Sequence, residues 1–357
     1  MAGVNYFRRD VVPFSVMIVM ETLNVGLNTL FKAATQQGMN SHVFVVYAYG
    51  VAALVLLPSP FFSNRSTVLP PMNFSIMIKI FFLGLIGCTS QLMGYTGISF
   101  SSPTLASAMS NLVPAFTFIL ALLFRMEKLE LMRTSSRAKI LGTIVSIGGA
   151  FVVTLFKGPR IISGFSPSTP AIMQNQSLSS KPSDWILGGF FLTTEYFLVP
   201  VWYIVQAQIM KEYPAELTVT FFYNLYVSIM AAAVTSIIEP DLNKWKLGSY
   251  MALASILCQG LFGSCLNNAV HAWIIRIRGP VYVSMFKPLA IAIAVAMGVM
   301  LLGDSLYLGS IIGAVIIVTG FYTVMWGKTT EETVEGSGTG DLESTTEKVP
   351  LLRPLQR

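Results

Sequence analysis

Three ionisable side chains of this sequence lie inside long apolar stretches, where a charge is costly. Glu21 falls in the first stretch, Glu195 in the sixth and Lys287 in the ninth. A charged group at bilayer depth costs about 2.5 to 3.5 kcal/mol on insertion scales, so it must face protein or water. Two carboxyls and an ammonium can bind the opposite charges of a small solute, and a carboxyl can also bind a proton. We therefore expect Lys287 to lie close to at least one of the glutamates.

Amide side chains on the same stretches add hydrogen-bonding groups. Glu21, Asn24 and Asn28 are spaced at i, i+3 and i+7, which places them on one helical face. The predicted substrate-binding set is Glu21, Asn24, Gln91, Asn111, Glu195, Asn224, Asn267 and Lys287. The alternative for each amide is structural, because buried amides also hold membrane helices together through hydrogen bonds.

Prolines lie close to these side chains. Pro114, Pro200 and Pro288 are expected to interrupt their helices and to free backbone carbonyls that line a cavity or act in gating. Lys287 and Pro288 are adjacent, which places a cation directly beside one such break. The alternative is a simple kink.

The sequence contains no motif for catalysis. His42 and His271 are the only histidines, and there is no metal-ligand spacing, phosphate-binding loop or nucleophile elbow. We therefore predict no enzyme activity, no catalytic residue, no metal site and no cofactor. Without a nucleotide-binding motif, any transport would be passive or coupled to an ion gradient.

The elements that position these residues are predicted to be membrane helices. The 357 residues are 54% hydrophobic and 11% charged, with a mean hydropathy of +0.66, which is far too apolar for a soluble globular protein. Crossing a hydrocarbon core takes roughly 20 residues, and apolar runs without alternation indicate helices rather than barrel strands. Ten spans are predicted, at approximately 11–31, 41–61, 75–98, 103–124, 139–157, 184–209, 214–238, 248–273, 280–302 and 305–326.

An internal repeat divides the chain into two halves. Residues 103–127 align without a gap with residues 280–304, and Glu21 aligns with Glu195. After a shorter link in the second copy, Gly142, Gly149, Val153 and Lys157 align without a gap with Gly313, Gly320, Val324 and Lys328. Because each copy has an odd number of spans, the second must insert upside down. The predicted fold is an all-α membrane protein of ten transmembrane helices in two inverted five-helix repeats, which in transporters meet at a midplane substrate site.

The charges give this fold an orientation and boundaries. Lys and Arg collect on the cytoplasmic side, which places both termini inside and explains the net charge of +6 without a nucleic acid partner. The predicted units are a first repeat at 11–157, an extracytoplasmic linker at 158–183, a second repeat at 184–326 and a disordered cytoplasmic tail at 327–357.

Two short motifs lie outside the predicted spans. Asn175 in the linker begins a glycosylation sequon. In the tail, Glu347, Leu351 and Leu352 have the form of an acidic dileucine sorting signal, which sorting adaptors would read. The alternative is an unstructured tail that happens to contain two leucines.

Two stretches resemble one known family. The segment from Ser102 to Glu127 resembles the fourth helix of the plant nodulin-like, walls-are-thin-related transporters, and Gly279 to Leu289 resembles their ninth. These proteins belong to the EamA branch of the drug/metabolite transporter superfamily. The resemblance implies two inverted five-helix repeats and facilitated or proton-linked movement of amino acids, auxin or related metabolites. It also implies a location in the plasma membrane or the vacuolar membrane.

These observations lead to one functional hypothesis and two alternatives. The first is a carrier of small solutes, with amino acids as the first candidates, working by alternating access among membrane lipids. Lys287 would attract a carboxylate, and Glu21 or Glu195 would attract an ammonium or a coupling proton. The alternatives are a carrier of auxin or another plant metabolite, and a non-transporting scaffold or sensor in which the three charges form a structural cluster.

Overall fold

The computed structural model describes residues 11–60, 72–100, 109–126, 133–156, 158–162, 182–302 and 306–346. Helices account for nearly all of them. They are α1 (Val12–Gln36), α2 (Ser41–Leu56), α3 (Phe74–Phe100), α4 (Val113–Leu123), α5 (Thr134–Leu155), α6 (Pro182–Glu212), α7 (Glu216–Ile238), α8 (Tyr250–Cys258), α9 (Asn268–Arg278), α10 (Pro280–Ser284), α11 (Phe286–Leu302) and α12 (Leu308–Thr346). A 3₁₀-helix spans Leu242–Trp245, and a π-helix, Gln259–Asn267, joins α8 to α9 without a break.

The prediction of a multi-pass helical membrane protein is confirmed at this level. Eight helical stretches are long and apolar enough to cross a membrane, and two shorter apolar helices, α2 and α4, accompany them. α2 ends at Leu56 rather than near residue 61. Within the predicted span 103–124, residues 109–110 are helical, a turn follows at 111–112, and α4 then begins at Val113 with Pro114 in its first turn; residues 101–108 lie outside the described part.

The end of the chain differs from the prediction. α12 continues to Thr346, so the segment from 327 to 346, predicted to be disordered, is helical. A helix that is already formed gains one hydrogen bond for each residue added, and composition alone does not take this into account. The sorting residues Glu347, Leu351 and Leu352 lie outside the described residues, as does the sequon residue Asn175.

One short pair of strands joins the two halves. β1 (Arg160–Ile162) pairs antiparallel with β2 (Leu306–Tyr307). β1 belongs to the segment predicted to be the extracytoplasmic linker, 158–183, and it pairs with the residues that directly precede α12. Apart from this pair, the described chain is helical or turns between helices.

α5 and α12 run in opposite directions with their backbones in contact. A Cβ atom on Gly142 would lie 2.6 Å from the carbonyl oxygen of Gly320. About two helical turns further along, a Cβ atom on Gly149 would lie 2.9 Å from the carbonyl oxygen of Gly313. Small residues allow membrane helices to approach in this way, and van der Waals packing then holds them together.

α2 and α7 form a second antiparallel pair. The Asn40 amide before α2 donates to Glu239 after α7 at 2.9 Å, and Ser228 Oγ donates to the carbonyl oxygen of Val46 at 3.2 Å. At the other end of the pair, Ser59 Oγ donates to the carbonyl oxygen of Leu217 at 3.3 Å. The contacts therefore run along the whole length of both helices.

α3 and α6 also pack antiparallel over most of their length. The Lys79 ammonium binds the Glu212 carboxylate at 2.5 Å at one end, and the rings of Phe100 and Phe191 stack 6.2 Å apart at the other. The outer faces of the bundle remain apolar: the exposed fraction is 71% for Leu54 and 73% for Ile186. Large apolar side chains exposed in this manner face lipid when the bundle lies in a membrane.

Candidate functional site

An ion pair joins the first helix to the middle of the second half. Lys287 Nζ lies 3.1 Å from Glu21 Oε1. The Glu21 side chain is 2% exposed and the Lys287 side chain 29%. The geometry meets the expectation that Lys287 lies close to a glutamate.

A helix break positions Lys287. α10 ends at Ser284 and α11 begins at Phe286, with a turn at Met285 between them. Pro288 has no N–H to donate to the carbonyl oxygen of Ser284, which is why the ladder is interrupted here. Lys287 therefore lies in the first turn of α11, where the positive end of the helix dipole disfavours a cation. Glu21 compensates for this.

Of the other two prolines, Pro114 resembles Pro288, because helical residues 109–110 end four positions before it and a turn follows, whereas Pro200 does not. Pro114 lies in the first turn of α4, after a turn at residues 111–112. α6 runs from Pro182 to Glu212 without interruption, so the prediction that Pro200 breaks its helix is wrong. Membrane helices tolerate an internal proline when neighbouring helices accommodate the freed carbonyl group.

Two buried rings lie next to the ion pair. His271 on α9 and Tyr203 on α6 are stacked 6.2 Å apart, and each interacts electrostatically with both Lys287 and Glu21. The His271 Nδ1 atom lies 2.7 Å from the carbonyl oxygen of Asn267. Neither ring belonged to the predicted binding set. His271 could have been found from its position one turn after Asn267, but the sequence offers no comparable signal for Tyr203.

An amide pair lies one turn from the ion pair. The Asn24 amide donates to Asn267 Oδ1 at 3.1 Å and so links α1 to the π-helix. Asn24 follows Glu21 by three residues and shares its helical face. The structure thus brings four members of the predicted set, Glu21, Asn24, Asn267 and Lys287, into one region.

Asn224 forms hydrogen bonds with the π-helix and with the start of α9. Its amide donates to the carbonyl oxygen of Ser264 at 3.1 Å, and its Oδ1 atom accepts from Asn268 at 3.3 Å. A π-helix is rare and shifts backbone carbonyls out of the α-helical ladder. These bonds favour the structural alternative for Asn224, because its amide nitrogen bonds to the π-helix and its Oδ1 atom bonds to the first residue of α9.

For three members of the predicted set, the described residues show no hydrogen bond or ion pair with Glu21 or Lys287. Asn111 is 1% exposed, and neither atom of its amide has a hydrogen-bond partner among the described residues. Glu195 packs against Gly94 of α3 and does not join the pair; its buried Oε2 atom has no partner in the described part of the chain. Gln91 is half-buried on α3, one turn after Gly87, where α3 packs on the Tyr223 hydroxyl.

A row of aromatic rings leads away from the pair. From Tyr203 the row continues to Trp202 at 5.6 Å, then to Tyr223 at 5.6 Å and to Tyr49 at 6.2 Å. These rings come from α6, α7 and α2, so they connect helices of both halves. Near Pro288, a narrow crevice is lined by Pro114, Thr143, Ser146, Met285, Pro288, Phe321 and Val324.

Comparison with known proteins gives one consistent answer. The model of the EamA-like transporter family matches residues 15–155. A WAT1-related protein of Arabidopsis thaliana is 59% identical over 97% of this chain and 96% of the relative. A second WAT1-related protein of this plant is 50% identical over 92% of this chain and 90% of the relative.

A solved crystal structure has a similar fold. Its TM-score is 0.65 at 12% sequence identity, over 89% of this chain and 99% of the other. At this identity the likeness concerns the fold alone, whereas the sequence relatives match nearly the whole chain at half or more of its residues. The chain therefore belongs to the WAT1-related proteins of the EamA-like transporter family and is a multi-pass membrane transporter.

Proposed function

We propose that this transporter carries small zwitterionic organic solutes, with amino acids as the first candidates, by alternating access. The observation that carries the proposal is the ion pair between Glu21 and Lys287, 3.1 Å apart beside a helix break. In the loaded state, the solute carboxylate takes the place of Glu21 next to Lys287. The solute ammonium then takes the place of Lys287 next to Glu21.

Charge balance favours a zwitterion over an ion. Each charge of the pair stabilises the other when the site is empty, because an isolated charge in a low-dielectric interior is costly. A zwitterion supplies one charge of each sign, so the site is neutral both empty and loaded. The carboxylate of a weak acid such as auxin compensates the charge of Lys287. The charge of Glu21 is then uncompensated unless Glu21 takes up a proton. Auxin and other plant metabolites are therefore the second candidates.

Helix directions support the proposed ten-helix, inverted-repeat architecture. α2 and α7 occupy the same position in the two halves, 11–157 and 184–326, and run antiparallel. α5 and α12 are likewise equivalent and antiparallel, with the repeat partners Gly149 and Gly320 each facing a glycine of the other helix. Two copies related by an axis in the membrane plane require this opposition.

The proposed orientation places both termini in the cytoplasm. On that side, Lys79 binds Glu212 and Arg276 binds Glu216 at 3.0 Å. The opposite side holds the Asn40 and Glu239 contact. The candidate membranes are the plasma membrane and the vacuolar membrane, and the candidate coupling ion is the proton. The sequon at Asn175 and the sorting signal at Glu347, Leu351 and Leu352 stay predictions.

Reconstitution tests the proposal directly. Purified full-length protein in liposomes is loaded with an unlabelled amino acid, and counterflow of a labelled panel of amino acids and auxin is measured. We expect saturable counterflow of at least one amino acid above that of protein-free liposomes. Folded protein without flux of any panel member would instead support the scaffold alternative.

A matched pair of variants connects the flux to the site. Lys287→Ala removes the cation of the ion pair, whereas Lys79→Ala removes an exposed cation that pairs with Glu212 at the end of the bundle. We expect counterflow to be lost in the first variant and retained in the second. Normal flux in a correctly folded Lys287→Ala protein would remove Lys287 from the mechanism.

A further inference from the structure

The equivalent glutamates of the two halves differ in whether the opposite half supplies a cation. The repeat pairs Glu21 with Glu195, and the gapless alignment of 103–127 with 280–304 pairs Ser110 with Lys287. The second half thus supplies a cation to Glu21. At the equivalent position the first half has a serine, so Glu195 receives no cation from Ser110.

The carboxyl group of Glu195 packs against protein, while the residue as a whole is half-buried. It lies on α6 with its carboxyl group against Gly94 of α3, where even a Cβ atom would overlap the carboxyl group. Its Oε2 atom is buried and has no hydrogen-bond partner among the described residues. Leu192, one turn earlier, is fully buried and packs on Gly97, so the two helices are closely packed beside the Glu195 carboxyl group.

The charged and titratable side chains on the elements packed against α6 have other neighbours. Among the residues whose side chains the structure describes, they are Lys79 and Cys88 on α3, none on α4, His271, Arg276 and Arg278 on α9, and Tyr282 on α10. The side chain of Tyr95, next to Gly94 on α3, lies outside the described part. Lys79 binds Glu212, Arg276 binds Glu216, and Arg278 lies over the Tyr282 ring. On α6 itself, the adjacent Tyr196 is the titratable group that interacts electrostatically with Glu195.

Among the side chains that the structure describes, none supplies a charge that compensates a carboxylate at Glu195. Burial of an unpaired ion costs far more than burial of the neutral acid, so a carboxyl group in this situation takes up a proton. Glu21 differs, because Lys287 is 3.1 Å away and compensates its charge. The broken symmetry therefore separates the two glutamates into one that is held as an ion and one that is held as an acid.

We propose that Glu195 is the proton-binding site of this transporter and couples solute movement to a proton gradient. The assignment deepens the proposed carrier function and rests on it. In the arrangement described here, the proton is on the buried carboxyl group. When the interface between α3 and α6 opens to water on the opposite side of the membrane, the O–H bond breaks, the proton passes to water, and the carboxylate becomes hydrated.

The first test needs no substrate. Infrared difference spectroscopy of purified full-length protein detects the carbonyl stretch of a protonated carboxylic acid. We expect a band at neutral pH that disappears in Glu195→Gln and persists in Glu212→Gln, an exposed glutamate of the same helix. Glutamine has the shape of the neutral acid, so this variant should fold. Identical spectra for the wild type and Glu195→Gln would overturn the assignment.

The second test uses flux. The probe is the panel amino acid with the fastest wild-type counterflow, and initial uptake is measured with and without an inward-directed proton gradient. We expect the gradient to stimulate the wild type and expect this stimulation to be lost in Glu195→Gln, expressed as a ratio within each protein. Equal stimulation of both proteins overturns the proton site but not the carrier function. Absence of counterflow in the wild type overturns the carrier function instead.

Discussion

A Cβ atom on Gly149 would lie 2.9 Å from the carbonyl oxygen of Gly313, and a Cβ atom on Gly313 would lie 2.7 Å from the carbonyl oxygen of Gly149. The two glycines come from α5 and α12, and each one occupies the space that a side chain of the other would need. Further along the same interface, Gly142 and Gly320 repeat this reciprocal contact. The interface therefore depends on the absence of side chains at four positions.

Gly149→Ala should destabilise the transporter by about 1 to 3 kcal/mol, because the added methyl group must push two backbones apart. The measurement is the thermal unfolding midpoint of the purified protein in detergent. Gly148→Ala is the control: this residue is next in sequence, and its Cβ atom would meet no atom within 4 Å. Equal midpoints for the two variants would contradict the proposed tight packing.

Neutralising the ion pair separates its structural role from its functional role. Lys287→Met leaves Glu21 buried without its cation, which typically costs about 3 to 5 kcal/mol. The double variant Glu21→Gln with Lys287→Met removes both charges and should recover most of that loss. Unfolding midpoints of the wild type, both single variants and the double variant measure this.

Transport by the same double variant decides between a carrier site and a structural cluster. If the charges bind the solute, the stable double variant stays inactive in amino acid counterflow. A double variant that transports like the wild type would show that the pair serves only stability. The result does not depend on the stability of either single variant.

Much of the site could be predicted from the cost of burying charge. Glu21 and Lys287 are 266 positions apart, but both must face the protein interior, and the proximity of the two follows from electrostatics. The apolar stretches likewise predicted nearly every helix. The same argument could not separate Glu195 from Glu21, because the difference depends on which residue of the other half lies opposite.

What the sequence did not reveal depends on backbone geometry. Gln259–Asn267 has no composition that distinguishes a π-helix from an α-helix. Pro200 has the same chemistry as Pro288, yet α6 continues through Pro200 while the helix breaks before Pro288. In both cases the helix geometry depends on whether neighbouring helices accommodate the freed backbone groups. That depends on tertiary packing, which the local sequence does not specify.

Acid should loosen the contact between α2 and α7 at Glu239. The hydrogen bond from Lys244 lowers the pKa of Glu239, and the bond from the Asn40 amide acts in the same direction. A carboxyl group with a lowered folded-state pKa stabilises the fold above its unfolded pKa of about 4.3. The contribution is lost as the pH falls through the lower, folded-state value.

Hydrogen exchange at the start of α2 measures this loosening. The His42 amide donates to Asn40 Oδ1, so its protection reports on whether Asn40 is held in place. We expect protection to fall on acidification in the wild type and to be low and independent of pH in Glu239→Gln. Asp241→Asn, which alters a nearby acid that caps the 3₁₀-helix, should retain the wild-type pH dependence.

Asn224→Leu should weaken the π-helix. The replacement has a similar size but leaves the buried carbonyl oxygen of Ser264 without its partner, at about 1 to 3 kcal/mol, and also removes the bond to the half-buried amide of Asn268. Because the π-helix also positions Asn267 against Asn24, counterflow should fall together with the unfolding midpoint. Ser236→Ala is the control on α7, since its exposed hydroxyl bonds only to Ala232 of its own helix. If Asn224→Leu unfolded at the same temperature as Ser236→Ala, the amide would not be holding the π-helix, and Asn224 would again be a candidate for solute binding.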